Sequence, residues 1–228
     1  MTSRPRLLPG LLLVSAVPLY SNWLAEFALP VELSPTASYV SEHSAEDQPH
    51  RWFFRLPDVL SGVLLCCAAA ALSGIGPDRF GRLLVGGLAA LGASTVGVAL
   101  APLDCAVSRD EACRAAERAG ELSTVHSAHG WLSVLAFLAS VAAAFAAERR
   151  TRGPRRLAFR LVLATLLATG VLSVALQETA WVGLVQRVQL AAVAVGLAVG
   201  ASACLTRRGP QPERLQERKG DSMPTPGR

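Results

Sequence analysis

The stretch VHSAHGWLSVLAFLASVAAAFAA at residues 125–147 decides the fold class of this chain. It contains no Asp, Glu, Lys or Arg, and a helix needs about 20 apolar residues to cross a bilayer. Ala, Leu, Val and Phe would cover all sides of such a helix, with no alternation of period two. The pattern therefore favours a transmembrane helix over a strand of a membrane barrel.

Five other stretches share this character, so six transmembrane helices are predicted, over residues 7–29, 53–75, 82–102, 125–147, 157–177 and 180–205. Of the 228 residues, 51% are hydrophobic and only 17% charged, which is too apolar for an ordinary soluble domain. We expect an all-α polytopic membrane protein, a six-helix bundle over residues 1–206. Residues 207–228 are predicted to be a disordered basic tail.

The first stretch also resembles a signal peptide, because a basic start precedes an apolar centre. Val14–Ala16 offers small residues at which such a peptide could be cleaved. The apolar character continues to Leu29, past that point, so we expect the stretch to be retained as the first helix.

The distribution of basic residues predicts the orientation. Sixteen of the 22 Lys and Arg residues fall on the side that holds both ends of a six-span chain. By the positive-inside rule, both termini are cytoplasmic. The net charge of +5 then reflects topology, and no nucleic-acid partner is expected. A composition rich in Ala and Arg suggests a bacterial source, with the inner (plasma) membrane as the location.

Two of the five cysteines lie together in the second outer loop, in LDCAVSRDEAC at residues 103–113. That compartment is oxidising, so a disulfide between Cys105 and Cys113 is predicted. A metal–thiolate site is the alternative. The same loop is predicted to hold a short amphipathic helix over residues 114–122.

Polar residues within or next to the spans gather at the outer end of the bundle. A charge inside a bilayer is costly unless it is paired or hydrated, so side chains at one depth are expected to share one polar pocket. We predict catalytic roles for Asp58, His126, His129 and Glu178, and ligand binding by Asn22, Glu26, Asp104 and Arg187. The alternative for Glu178 and Arg187 is a structural ion pair between the last two helices.

His126 and His129 lie three residues apart, on one face of a helix. Two neutral imidazoles so placed can bind Zn²⁺, with Asp58 as a third ligand and Glu178 as the base for a bound water. His43, in the first outer loop, is a further candidate ligand. A metal-free, hydrogen-bonded pocket and plain interfacial packing are the alternatives.

Four motifs in order resemble a family of prokaryotic membrane proteins, the domain-of-unknown-function family 998. They are SPTASYVSEH at 34–43, RLPDVLSG at 55–62, the two cysteines followed by the two histidines, and GLVQR at 183–187. The resemblance covers about residues 10–205 and implies a six-helix membrane fold, with no established activity. More faintly, Ser61, Asp58, His126 and His129 are similar to the zinc-site residues of alkaline ceramidase and adiponectin-receptor type hydrolases. The number of spans and the histidine spacing both differ from that type.

Two functions follow from these predictions. The first is a metal-assisted hydrolase or transferase that acts on a lipid-type substrate, with zinc as its cofactor and membrane lipid as its surroundings. The second is a non-enzymatic membrane binder, transporter, sensor or partner subunit. Transport is disfavoured, because no ionisable relay crosses the inner half of the spans.

Overall fold

The computed structural model describes residues 7–74 and 78–206. Those ranges contain seven α-helices and no strand. The helices are α1 (Leu7–Tyr20), α2 (Arg51–Leu72), α3 (Arg79–Leu100), α4 (Glu111–Ala119), α5 (Thr124–Arg150), α6 (Pro154–Ala175) and α7 (Val182–Leu205). The predicted tail at 207–228 lies outside the described residues. All helices except the short α4 belong to segments long and apolar enough to span a membrane, which confirms the predicted six-span, all-α fold.

The six spanning helices form a closed ring. In chain order α1, α2, α3, α5, α6 and α7 each pack against the next, and α7 packs against α1. Short connections make three consecutive pairs antiparallel neighbours, namely α2 and α3, α5 and α6, and α6 and α7. Because direct packing across the ring is sparse, the ring encloses interior space.

The first span is shorter as an α-helix than predicted. The α-helix ends at Tyr20, and a 3₁₀ helix over Asn22–Phe27 completes the span. Pro18 lies in the last turn of α1 and lacks the N–H that would continue the hydrogen-bond ladder. The change of helix type directs Glu26 into the protein, where it is 5% exposed.

Helices α2 and α3 are in close contact through two glycines. A Cβ added to Gly62 would lie 2.6 Å from the carbonyl oxygen of Gly92, and a Cβ at Gly92 would lie 2.6 Å from that of Gly62. Small residues allow such close approach of membrane helices. This contact fixes the position of α2, which carries Asp58.

The two ends of the ring differ. One, the arginine end, has tight connections and holds Asp78, Arg150 and the buried Glu148, which pairs with Arg156 and Arg160. The other, the loop end, is covered by two long connections, residues 28–50 and 101–123, which we call the loop cap.

The loop cap is stabilised by a disulfide and by residues that cap both ends of its helix α4. Cys105 and Cys113 form the predicted disulfide. Helix α4 begins three residues before the predicted one, because Asp110 accepts hydrogen bonds from the Ala112 and Cys113 amides, as an N-cap does. It ends at Ala119, and the next residue, Gly120, has a φ of 70°, a conformation that favours glycine.

Candidate functional site

A cavity of about 130 Å³ lies inside the ring beneath the loop cap. We call it the polar cavity, because many of its lining side chains carry polar groups. Its polar lining residues are Tyr20, Asn22, Ser41, Ser44, Asp58, Thr95, Ser133, Ser140, Gln186 and Gln189. Its aromatic lining also includes Trp23, Phe54 and Phe137.

Asp58 is the one charged residue among the described residues that line this cavity. Its backbone carbonyl accepts a hydrogen bond from Ser61 Oγ at 3.0 Å. Across residues 7–74 and 78–206, no ion pair or hydrogen bond engages its carboxylate. An intramembrane carboxylate is costly without a partner and marks a functional site by default.

Amide side chains around Asp58 are held in place by the backbone. Asn22 Nδ2 donates to the Phe54 carbonyl at 2.8 Å, and Gln186 Oε1 accepts from the Val40 amide at 2.5 Å. Each amide keeps its other polar atom available. Gln189, one turn further along α7, makes no side-chain hydrogen bond with the described residues and lines the same cavity.

A buried charge cluster lies beside this cavity. Arg187 donates from Nε and Nη2 to the two carboxylate oxygens of Glu26, at 2.7 and 2.5 Å. Its Nη1 donates to the carbonyls of Ser38 and Gly183. His43 Nε2 is 3.2 Å from Glu26 Oε2, a close contact but not an aligned hydrogen bond. The cluster ties the loop cap to α7 and to the end of the first span.

The alternative considered for Glu178 and Arg187, an ion pair between them, is therefore wrong. Glu178 lies in an exposed connection, where it pairs with Arg118 at 3.4 Å. Arg187 is buried inside the ring, and the 3₁₀ turn brings Glu26 to it. Burial explains why Arg187 pairs with Glu26 and not with Glu178, because a buried guanidinium needs a buried carboxylate partner.

A second buried carboxylate joins the two halves of the loop cap. Glu42 is 1% exposed and accepts hydrogen bonds from the backbone amide and the hydroxyl of Ser108. Burial raises the pKa of Glu42 above its usual value, and the hydrogen bonds from Ser108 offset part of that rise. Glu42 thus serves as a structural bridge within the cap.

The two histidines at the start of α5 are bound to the backbone of the loop cap. His126 Nδ1 accepts a hydrogen bond from the Asp104 amide at 3.2 Å, and its Nε2 lies 3.6 Å from Glu117 Oε1. His129 Nδ1 is 2.7 Å from the Ala101 carbonyl oxygen, so it must carry the proton that makes this bond. Its Nε2 is buried without a hydrogen-bond partner in the described chain.

Asp104 has a capping role of its own. Its carboxylate accepts hydrogen bonds from the Ser123 amide and hydroxyl, at 2.7 and 2.6 Å. Its slight burial would raise the pKa of Asp104, but the bonds from Ser123 outweigh it and hold that pKa below the usual value. His126 therefore contacts the backbone of Asp104. The acidic side chain that pairs with its ring is Glu117, which was not among the predicted site residues.

The predicted zinc ligands are not assembled as a group. Among the described residues, no set of three or more His, Cys, Asp and Glu side chains is placed to hold a metal ion. Asp58 lines the polar cavity, whereas His126 and His129 do not. Zinc binding stays a prediction that this geometry does not favour.

The family described as "Protein of unknown function (DUF998)" matches residues 13–203. The chain belongs to this family. No curated protein and no solved structure matches it, so the fainter similarity to ceramidase-type hydrolases gains no support. Membership in DUF998 names no activity, so the function is argued from the cavity.

Sequence reasoning found part of the cavity and missed part. Asn22 and Asp58 were predicted as site residues, and both line the cavity. Gln186 and Gln189 were overlooked, although two glutamines three residues apart in one span share a helix face. Polar uncharged residues inside spans were the available signal.

Proposed function

We propose that this protein is a membrane-embedded binder of a small organic cation, a protonated amine or quaternary ammonium group held in the polar cavity. The observation that carries the proposal is the Asp58 carboxylate, which faces the cavity with no cationic partner in the described chain. A bound cation would supply the missing charge. In a low-dielectric interior that attraction is much stronger than in water.

The rest of the lining supports an organic cation. The rings of Trp23, Phe54 and Phe137 line the same cavity, and aromatic faces attract ammonium groups. The side-chain oxygens of Asn22 and Gln189 can accept hydrogen bonds from an amine. Such a mixture of apolar surface with a few placed polar groups is typical of small-molecule sites.

An anionic ligand is disfavoured by the same lining. Arg187, the nearby buried cation, is engaged by Glu26 and by backbone carbonyls. An anion in the cavity would meet the unpaired Asp58 carboxylate without a compensating positive charge.

The decisive experiment measures choline binding to the purified protein in lipid nanodiscs by calorimetry. Choline serves as the probe, and its neutral analogue with carbon in place of nitrogen is the matched control ligand. We expect choline to bind and the analogue to bind far more weakly. Asp58→Asn should weaken choline binding at least about thirtyfold, as removal of one partner of a buried charge pair does.

Glu121→Gln is the matched control variant, since it removes one carboxylate from an exposed position of the loop cap. It should bind choline as the unaltered protein does. Equal binding of choline and its neutral analogue, or an unchanged affinity in Asp58→Asn, would refute the proposal.

Zinc-assisted hydrolysis, predicted from the sequence, is a separate proposal with weaker support. Both histidines use Nδ1 to hold the backbone of the loop cap, and only Nε2 of each remains for a metal. Metal analysis of the purified protein tests it. Stoichiometric zinc that is lost in the His126→Ala, His129→Ala double variant would support the hydrolase.

A further inference from the structure

A second cavity occupies the other half of the ring. It also measures about 130 Å³ and is bounded by side chains from all six spanning helices. We call it the apolar cavity, because its walls are largely aliphatic, including Leu13, Leu72, Leu88, Leu91, Leu166 and Leu197. Arg150, which is already paired with Asp78, lines its arginine end.

The two cavities are adjacent inside the ring. Ser140 of α5 and Val193 of α7 line both of them. The Ser140 hydroxyl donates to the Ala136 carbonyl of its own helix at 2.8 Å, so it does not need a partner from the interior. Two short side chains therefore mark the boundary between a polar and an apolar compartment.

A polar cavity next to an apolar cavity matches the shape of an amphiphile. A polar group beside Asp58 and a hydrocarbon chain beyond Val193 are the two halves of an amphiphile. Asp58 and Leu72 are fourteen positions apart on α2, which corresponds to about 21 Å along the helix. That length accommodates a long alkyl chain.

We propose that the ligand is a long-chain ammonium amphiphile, with its cationic head at Asp58 and its chain in the apolar cavity. This inference rests on the proposed function and names the class of ligand. Burial of the chain favours binding, because each methylene removed from water contributes to the hydrophobic effect.

Other occupants of the apolar cavity fit less well. Water is disfavoured in a cavity with aliphatic walls. A hydrated cation passing through the ring would lose its water next to leucine side chains, with no charged group to replace it. A fatty acid would need a free cation at its carboxylate, and Arg150 is neutralised by Asp78.

The test is photo-crosslinking with an alkyl trimethylammonium probe that has a diazirine near the end of a long chain. Protein in nanodiscs is irradiated, and labelled peptides are identified by mass spectrometry. We expect labels on residues of the apolar cavity, such as Leu88 and Leu197. Excess tetramethylammonium, which competes only for the head site, should reduce that labelling.

Val193→Phe fills the boundary between the cavities. It should lower labelling of the apolar cavity by about tenfold, since the loss of several buried methylenes weakens binding by at least that factor. Val195→Phe is the matched control, because Val195 is 52% exposed on the outside of the ring. Leu88→Trp fills the apolar cavity from another helix. It should lower the labelling in the same way, and it serves as the test if Val193→Phe does not fold. In Leu88→Trp, whose site lines the apolar cavity and not the polar one, tetramethylammonium binding should be retained.

The outcomes separate the two proposals. Tetramethylammonium binding that depends on Asp58, with labels confined to lipid-facing residues such as Val171 and Val174, would overturn the chain inference alone. Loss of Asp58-dependent binding altogether would overturn the proposed function. A fatty-acid probe that labels the apolar cavity more strongly than the ammonium probe would overturn the proposed cationic ligand and indicate an anionic one.

Discussion

Arg187 and Glu26 form a buried two-point ion pair, although 161 positions separate them in the chain. The pair joins α7 to the 3₁₀ turn that completes the first span, next to the polar cavity. It thereby closes the ring between its first and last helices. Three further contacts, to Ser38, Gly183 and His43, connect it with the loop cap and the start of α7.

Glu26→Gln is expected to lower the free energy of unfolding by about 3–5 kcal/mol, because it leaves the Arg187 guanidinium buried without a counter-charge. Thermal unfolding in mild detergent measures the loss. Glu178→Gln, which breaks the exposed pair with Arg118, should have little effect. Glu26→Gln combined with Arg187→Met should recover part of the stability. Equal behaviour of the two single variants would contradict a structural role for the buried pair.

The disulfide between Cys105 and Cys113 should stabilise the loop cap. It closes a short loop, so Cys105→Ser is expected to cost about 2 kcal/mol. Peptide mapping after thiol labelling of unreduced membranes should find Cys105 and Cys113 blocked. The free cysteines Cys66 and Cys67 serve as labelling controls. Labelling of both loop cysteines without reductant would show that the bond does not form.

Glu42 should make the loop cap more stable in acid than at neutral pH. Its pKa in the folded protein is raised above the ordinary value of 4.5, so the folded state holds this proton more tightly than the unfolded state does. The resulting stabilisation is complete below pH 4.5 and is lost as the pH rises through the raised pKa.

Glu42→Gln therefore should raise the melting temperature at neutral pH and have a smaller effect at low pH. The glutamine keeps an oxygen that can accept hydrogen bonds from Ser108. Glu121→Gln makes the same charge change at an exposed position of the cap and controls for net charge. A melting temperature that falls at neutral pH in Glu42→Gln would show that the carboxylate is preferred there.

Local properties of the sequence were enough to predict much of this architecture. The six spans follow from apolar length, which depends only on neighbouring residues. The disulfide follows from two cysteines eight positions apart in one loop. Asp58 was found because a carboxylate inside an apolar stretch has few structural explanations.

The remaining features depend on tertiary contacts that leave no local signal. The partner of Arg187 is decided by the turn that directs Glu26 inward, which no spacing rule predicts. His126 and His129 interact with the backbone at Asp104 and Ala101, and every residue type offers such groups. The boundary at Ser140 and Val193 exists only because α5 and α7 face one interior.

The orientation predicted from the arginine distribution can be tested with reporters. Alkaline phosphatase, which is active only outside the cytoplasm, should be inactive when fused after Gly153 at the arginine end. It should be active when fused at Gly120 in the loop cap. The physical reason is the retention of basic loops on the cytoplasmic side. The opposite pattern would place the polar cavity at the cytoplasmic face.

Asp58 should lower the stability of the empty protein while it enables binding. An intramembrane carboxylate without a partner costs free energy, and functional groups often carry such a cost. Asp58→Asn is therefore expected to raise the free energy of unfolding of the ligand-free protein by about 1–2 kcal/mol. Choline should raise the melting temperature of the unaltered protein and leave that of Asp58→Asn unchanged, because a ligand stabilises only a state that binds it. Asn22→Ala removes a neighbouring hydrogen bond but no charge. It should not raise the free energy of unfolding as Asp58→Asn does, and choline should still raise its melting temperature.

A ligand-free Asp58→Asn protein that is less stable than the original would mean that the fold itself satisfies the carboxylate. The cavity would then not be a site for a cation.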